Sequence, residues 1–132
     1  MKHTHSLTLT AILAISLFLT QCKKDDTVYN VYFYTSKDTT VVQLALYIDD
    51  KYKGIIPYIS QKPTYDNDSL KNLAFSLTLS SGKYNIKTKN AYDMVMSEQI
   101  LKIKNNSTSV RGKSGGSEIT GKDNCFIVGL FY

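Results

Sequence analysis

Apolar residues at every second position are the feature that most limits how this chain can fold. The even-numbered residues from Val42 to Ile48 and the odd-numbered residues from Leu73 to Leu79 are all apolar. Successive side chains of a β-strand point to opposite faces of a sheet, so this spacing predicts strands with one buried face. We predict no helix, and the chain is therefore expected to be all-β.

Other stretches extend the same pattern. Residues 84–88 alternate in the same way, and residues 101–103 predict a weaker strand. Tyr29 to Tyr34 and Phe126 to Tyr132 are apolar on both faces. Such strands are typical of the centre of a sheet, or of a sheet that is covered on both sides.

The segments between these runs read as turns and loops. Ser81-Gly82 predicts a tight hairpin, because glycine permits a positive φ, and Asp49-Asp50-Lys51 predicts another. Residues 105–124 are rich in Asn, Ser, Gly and Lys and predict a long loop, either functional or disordered. About seven short strands then point to a single antiparallel β-sandwich.

Three short segments combine strand residues with turn residues. They are Leu-Tyr-Ile-Asp-Asp-Lys at 46–51, Gly-Ile-Ile-Pro at 54–57 and Leu-Ser-Ser-Gly-Lys-Tyr-Asn-Ile at 79–86. Together they resemble PEGA-type and related transthyretin-like sandwich modules. The resemblance implies a sandwich in which Gly54 and Gly82 allow turns and Pro57 ends strand pairing. It implies nothing about a ligand, because function depends on sites rather than on folds.

The N-terminal segment combines a short apolar run with a cysteine. The run from Leu7 to Leu19 is shorter than the roughly 20 residues that span a bilayer, and Cys22 follows it closely. This segment resembles the export and lipidation signal of bacterial lipoproteins. The resemblance implies a cleaved signal peptide at 1–21, a lipidated tether at 22–27 with fatty acid such as palmitate on Cys22, and a sandwich domain at 28–132. An ordinary secretory signal or an uncut membrane-anchoring helix is the alternative.

The charged residues after the cysteine refine the expected location. Lys23-Lys24-Asp25-Asp26 is similar to the surface-display signals of Bacteroidota-type lipoproteins. The expected location is the outer membrane, with the protein lipid-anchored at the cell surface and the membrane as its partner through Cys22.

No motif for catalysis, metal binding or a cofactor emerges. Both histidines, His3 and His5, precede Cys22, so the processed chain would lack the usual base of a nucleophilic site. Residues 66–69, Asp-Asn-Asp-Ser, start like a calcium loop, but the later ligand positions are wrong. We therefore predict no catalytic residue, no metal and no cofactor. Cys125 is expected to be a buried, inert thiol.

Tyrosines and lysines are the candidates for binding. Tyr47, Tyr58, Tyr65 and Tyr92 are expected to contact a glycan or an envelope protein, although tyrosine is also simply a good strand residue. A basic stripe is predicted from residues that would align on paired strands, namely Lys83, Lys87, Lys89, Lys102 and Lys104. A nucleic-acid partner is not expected, because Arg111 is the one arginine.

The expected function is a non-enzymatic binding or assembly module of the cell envelope. One alternative is a periplasm-facing accessory subunit whose last strand, Cys125 to Tyr132, pairs with the edge of a partner. The other is an envelope-glycan enzyme that uses carboxylates such as Asp49, Asp66 and Asp93.

Overall fold

The computed structural model describes residues 27–36, 43–105 and 107–132. In chain order, its elements are β1 (Val28–Tyr34), β2 (Leu44–Ile48), β3 (Lys51–Ile56), α1 (Asp68–Lys71), β4 (Phe75–Ser80), β5 (Gly82–Lys89), β6 (Val95–Lys104), β7 (Ser107–Ser114), β8 (Gly116–Lys122) and β9 (Cys125–Phe131). The predicted signal peptide, Cys22 and the tether up to residue 26 lie outside the described residues. Within the described ranges, no helix is long and apolar enough to cross a bilayer.

The strands form two sheets that pack as a sandwich. One sheet has four strands in the order β4-β1-β9-β8, and the other has five in the order β3-β2-β5-β6-β7. The predicted all-β sandwich is confirmed, with nine strands among the described residues in place of about seven, and with the short helix α1 where no helix was predicted. The sandwich is not wholly antiparallel, because β1 pairs with β9 in parallel. A parallel pair needs a long connection, which the chain between its first and last strands supplies.

Alternate residues of the strands fill the space between the two sheets. The predicted apolar face of β2 is confirmed there, since Leu44, Leu46 and Ile48 are buried. The other buried members of this core are Tyr29, Val31, Phe33, Ile56, Ile86, Leu101, Ile103, Phe126, Val128 and Leu130. Burying one such large apolar side chain contributes about 1.5–3 kcal/mol, so this layer is the main source of stability.

The outer face of the four-stranded sheet is covered by the connection between β3 and β4. We call residues 57–74 the covering segment. Its Ile59 packs with Tyr34 and Ile127 of the sheet in a second buried cluster. The Ile59 N–H donates to the carbonyl of Thr35, directly after β1, at 2.9 Å and fixes the start of the segment there. This cover explains why β1 and β9 are apolar on both faces, as predicted for central strands.

The last strand has no unpaired edge. β9 lies between β1 and β8 and pairs with both of them. The expectation that Cys125 to Tyr132 pairs with a partner's edge therefore lacks the free edge that strand addition needs.

The predicted hairpin at Ser81-Gly82 is wrong. β4 belongs to the four-stranded sheet and β5 to the five-stranded sheet, so the chain crosses between sheets at this corner. The Tyr84 hydroxyl donates to the carbonyl of Ser80 at 2.8 Å and stabilises the corner. Alternation on both sides of the turn indicates two strands, but it carries no information about which sheet each strand joins.

Gly54 has a packing role rather than the turn role that the resemblance implied. It lies inside β3, where a Cβ atom would come within 2.4 Å of the Phe75 ring on β4. The missing side chain lets the edges of the two sheets approach each other, which closes this side of the sandwich.

The stretch 105–124, predicted to be a loop, contains β7 and β8. β7 is an edge strand, and its Thr108 and Val110 pair with the buried Ile103 and Leu101 of β6. The chain then crosses to the other sheet at Gly115, where φ is +70° and a Cβ would lie 2.5 Å from a backbone oxygen. An edge strand with one solvated face needs few apolar residues. The polar composition of this stretch therefore predicted a loop rather than a strand.

Candidate functional site

The outer face of the five-stranded sheet contrasts with the covered side of the molecule, because no described segment packs across it. We call it the open face. The register places aromatic side chains on its β2–β3 side and cationic side chains on its β5–β7 side. These side chains include Tyr47, Tyr52, Lys83, Lys87, Lys89, Lys102 and Arg111.

The basic side of the open face arises from strand register. Lys83 of β5 lies directly opposite Lys102 of β6. In the neighbouring row, Ile100 of β6 lies opposite Arg111 of β7. The predicted lysines share one sheet face, and Arg111 joins them, but only Lys83 and Lys102 lie directly opposite each other, because Lys87 lies opposite Glu98. Sequence reasoning missed Arg111 as a site residue because its strand was predicted to be a loop.

Three ion pairs neutralise the middle of the open face. They join Lys87 to Asp50 at 2.7 Å, Lys89 to Asp93 at 2.9 Å and Lys113 to Glu98 at 3.0 Å. The hydrogen bond from its lysine is the main cause of the lowered pKa of Asp50 and of Glu98. The hydrogen bond to Asp50 is likewise the main cause of the raised pKa of Lys87, and the hydrogen bond to Asp93 is the main cause of the raised pKa of Lys89.

The turn between β2 and β3 positions one of these carboxylates. Asp49 and Asp50 have φ values of 51° and 63°, as a two-residue type I′ hairpin requires. The predicted hairpin is confirmed. Asp49 Oδ1 also accepts the backbone N–H of Asn85 at 2.8 Å, which ties the turn to β5.

Beyond these pairs, part of the positive charge of the open face has no carboxylate partner among the described residues. In the described part of the chain, no ion pair involves Lys83, Lys102 or Arg111. Together with Ile100 and Ser109 they line a shallow cavity of about 310 Å³, which we call the basic depression. Its three cations can bind an oxyanion, and Ser109 adds a hydroxyl that both donates and accepts.

The aromatic side of the open face contains Tyr47, one of the predicted contact residues. Its ring packs edge-on against Tyr52, with 5.7 Å between the centroids. Lys89 Nζ lies 4.7 Å from the centroid of the Tyr47 ring in a cation–π contact. Tyr52, which sequence reasoning did not single out, is the more accessible ring of the two, with 57% of its surface exposed.

The structure does not gather the four predicted tyrosines on one surface. Tyr58 and Tyr65 belong to the covering segment on the other side of the sandwich. The Tyr65 hydroxyl donates to the carbonyl of Cys125 at 3.4 Å, and burial raises the pKa of Tyr65. Tyr92 lies in the turn between β5 and β6 and is 83% exposed. Their role in binding stays a prediction.

Carboxylates considered for catalysis lie in separate turns. Asp49 lies in the turn between β2 and β3 and Asp93 in the turn between β5 and β6, whereas Asp66 belongs to the covering segment. Next to it, the Asn67 side chain accepts the Leu70 N–H at 3.1 Å and caps α1. Over the described residues, no three His, Cys, Asp or Glu side chains are grouped as metal ligands would be.

Cys125 is a free thiol at the start of β9 and is partly buried. Burial is the main cause of its raised pKa, which keeps the sulfur protonated and weakly nucleophilic at neutral pH.

These features define a small all-β sandwich protein with one covered and one open outer face. Comparison with known proteins gives no match: no family model fits the chain, and no curated protein or solved structure is significantly similar to it. The resemblances to PEGA-type modules and to bacterial lipoproteins therefore remain predictions from the residues that carry them.

Proposed function

We propose that this protein is a lipid-anchored cell-envelope module that binds another envelope component and catalyses no reaction. In this proposal Cys22 carries the lipid in the outer membrane, and residues 23–27 are the tether. The sandwich stands at the cell surface, and its open face binds a glycan or an envelope protein.

The contrast between the two outer faces is the observation that carries the proposal. The chain covers the four-stranded sheet with its own residues 57–74 and buries Tyr34 and Ile127 there. The five-stranded sheet instead presents unpaired cations and exposed aromatic surface to solvent. Complementary charge and exposed tyrosine rings favour recognition of a partner.

The carboxylates of the open face suit binding better than acid–base catalysis. Asp50, Asp93 and Glu98 are each held by a lysine at 2.7–3.0 Å. A carboxylate with a lowered pKa, such as that of Asp50 or Glu98, is a weak base, whereas a general acid or base works best with a pKa near the operating pH.

Metabolic labelling tests the anchor. Cells that express the full chain are grown with labelled palmitate, and the protein is compared with its Cys22→Ala and Cys125→Ala variants. We expect label in the natural protein and in Cys125→Ala, and none in Cys22→Ala. An unlabelled natural protein, or equal label in Cys22→Ala, contradicts the anchor.

Protease treatment of intact cells tests the location. A surface-displayed sandwich is degraded while a periplasmic marker protein survives. Protection of the sandwich in intact cells, with degradation after lysis, contradicts surface display and favours a periplasm-facing subunit.

Binding itself is tested with envelope fragments from cells that lack the protein. Purified protein in a nonionic detergent should sediment with these fragments and reach saturation as its concentration rises. Absence of saturable binding contradicts a binding module, whatever the outcome of the palmitate experiment.

A further inference from the structure

We propose that the basic depression binds an acidic glycan, with Lys83, Lys102 and Arg111 holding a carboxylate, sulfate or phosphate group on one of its sugars. This inference rests on the proposed binding function and specifies the ligand class and the residues.

Charge placement is the first argument. Like charges directly opposite each other on paired strands destabilise a sheet. Lys83 and Lys102 are such a pair. Elsewhere on the same face Lys87, Lys89 and Lys113 each have a carboxylate partner. An anion bound between Lys83 and Lys102 removes a repulsion that the free protein retains.

The composition of the depression is the second argument. Arg111 offers a planar fork that matches carboxylate, sulfate or phosphate oxygens, while the two lysines act as mobile point charges. Ile100 provides an apolar patch between them, and Ser109 provides a hydroxyl. A sugar that bears an oxyanion has the complementary set of groups: a charge, hydroxyls and apolar C–H faces.

Size and shape favour a glycan over a membrane surface. A volume of about 310 Å³ is at the lower end of the roughly 300–1,000 Å³ typical of ligand sites, and it suits one sugar unit of a longer chain. A bilayer presents its head groups as a flat array, which matches a broad basic surface better than one small concave site. The depression is also open to solvent on one side, so the rest of a polysaccharide can continue beyond it.

Direct binding tests this inference with polygalacturonate, which carries carboxylates, and with dextran sulfate. Neutral dextran and vesicles of phosphatidylcholine with phosphatidylglycerol serve as comparison ligands. The site variant combines Lys83→Gln, Lys102→Gln and Arg111→Gln. The matched control combines Lys51→Gln, Lys53→Gln and Lys122→Gln, which removes the same charge from exposed residues outside the depression.

We expect saturable binding to at least one of the two acidic polysaccharides and none to neutral dextran. The site variant should bind at least about tenfold more weakly, because three charge-assisted contacts are lost, and the control less than about threefold. Similar losses in both variants would mean that net charge alone drives binding and would overturn the proposal. Failure to bind either polysaccharide, or binding to the vesicles alone, would also overturn it.

Thermal unfolding at low salt gives an independent readout. Lys102→Gln should raise the melting temperature of the free protein, because it relieves the repulsion from Lys83. The polysaccharide that binds should raise the melting temperature of the natural protein and leave that of the site variant nearly unchanged. Equal increases in both proteins would overturn the proposed site.

Since these measurements use purified protein, they stand apart from the anchor. If palmitate labels Cys22 but the purified protein binds neither acidic polysaccharide, the glycan site is overturned and the lipid anchor is not. If the purified protein binds an acidic polysaccharide but palmitate does not label it in cells, the lipid anchor is overturned and the glycan site is not.

Discussion

The buried hydroxyl of Tyr34 donates a hydrogen bond to the carboxylate of Glu118, 84 residues later in the chain. Gly129 of β9 lies between them, since it pairs with Tyr34 on one side and with Glu118 on the other. A Cβ at Gly129 would come within 2.9 Å of the Tyr34 hydroxyl. Lys62 of the covering segment pairs with the second Glu118 oxygen at 2.9 Å. This network therefore fastens the covering segment to the sheet.

Removing Glu118, the acceptor of the hydrogen bond from Tyr34, should lower the free energy of unfolding more than removing the Tyr34 hydroxyl. Glu118→Ala leaves the buried Tyr34 hydroxyl without its partner and should lower the free energy of unfolding by about 2 kcal/mol. Tyr34→Phe removes the hydroxyl itself and should cost about 1 kcal/mol, because Glu118 still contacts Lys62 and water. Urea unfolding of both variants checks the order, and a larger loss in Tyr34→Phe would contradict it.

The same network should make the free energy of unfolding depend on pH in the acidic range. Burial acts to raise the pKa of Glu118, but the hydrogen bonds from Lys62 and Tyr34 outweigh it, and the pKa lies below its ordinary value of 4.5. The unfolded chain therefore takes up this proton first. The contribution of Glu118 to the free energy of unfolding is therefore fully present above about pH 4.5. It is lost as the pH falls through the lowered pKa of this carboxyl in the folded state.

Urea unfolding at a series of pH values from neutral to about pH 3 checks this dependence. Glu118→Gln should be less stable than the natural protein at neutral pH, and the difference should shrink in acid. Asp50 and Glu98, whose pKa values are also lowered, leave part of the acid sensitivity in place. A difference that stays constant down to about pH 3 would exclude this role for Glu118.

The close packing of β3 against β4 should depend on glycine at position 54, because there is no room there for a side chain. Gly54→Ala would place a methyl group 2.4 Å from a Phe75 ring carbon, and such overpacking costs about 1–3 kcal/mol. Gly116→Ala is the matched control, since its nearest neighbour would be 3.5 Å away, an ordinary contact. Thermal unfolding should show a clear loss for Gly54→Ala alone. Adding Phe75→Leu should restore part of it.

The corner between the two sheets should depend on the Tyr84 hydroxyl. Tyr84→Phe removes its hydrogen bond to Ser80 and should lower the free energy of unfolding by about 1 kcal/mol. Tyr92→Phe, at a highly exposed turn position, is the control and should be nearly neutral. Equal effects of the two substitutions would mean that the bond to Ser80 does not stabilise the corner.

Local pattern predicted much of the fold. Alternation located β2, β4 and β5, and two-sided apolarity identified the central strands β1 and β9. The polar edge strand β7 was not predicted. Only its Thr108 and Val110 face the core, so its sequence lacks a clear run of alternating apolar residues. The hairpin at Ser81-Gly82 was wrong because the same local pattern fits a turn within one sheet and a crossing between two.

The candidate site was predictable only in part. A lysine stripe followed from the spacing of Lys83, Lys87 and Lys89 on one strand and of Lys102 and Lys104 on another. Arg111 joined it through the pairing of a strand that the sequence did not reveal. The neutralisation of Lys87 by Asp50 depends on the geometry of a turn, so the distinction between paired and unpaired cations came from the structure.

The amino-acid sequence by itself determined which segments are extended and which of their faces are apolar, because both depend on neighbouring residues and the geometry of the backbone. Only the tertiary structure decided which strands share a sheet, which outer face is covered, and which cations remain unpaired. Those features depend on contacts between segments far apart in the chain, such as Lys83 opposite Lys102 or Gly129 between Tyr34 and Glu118. Such contacts form only when the whole chain packs around one core.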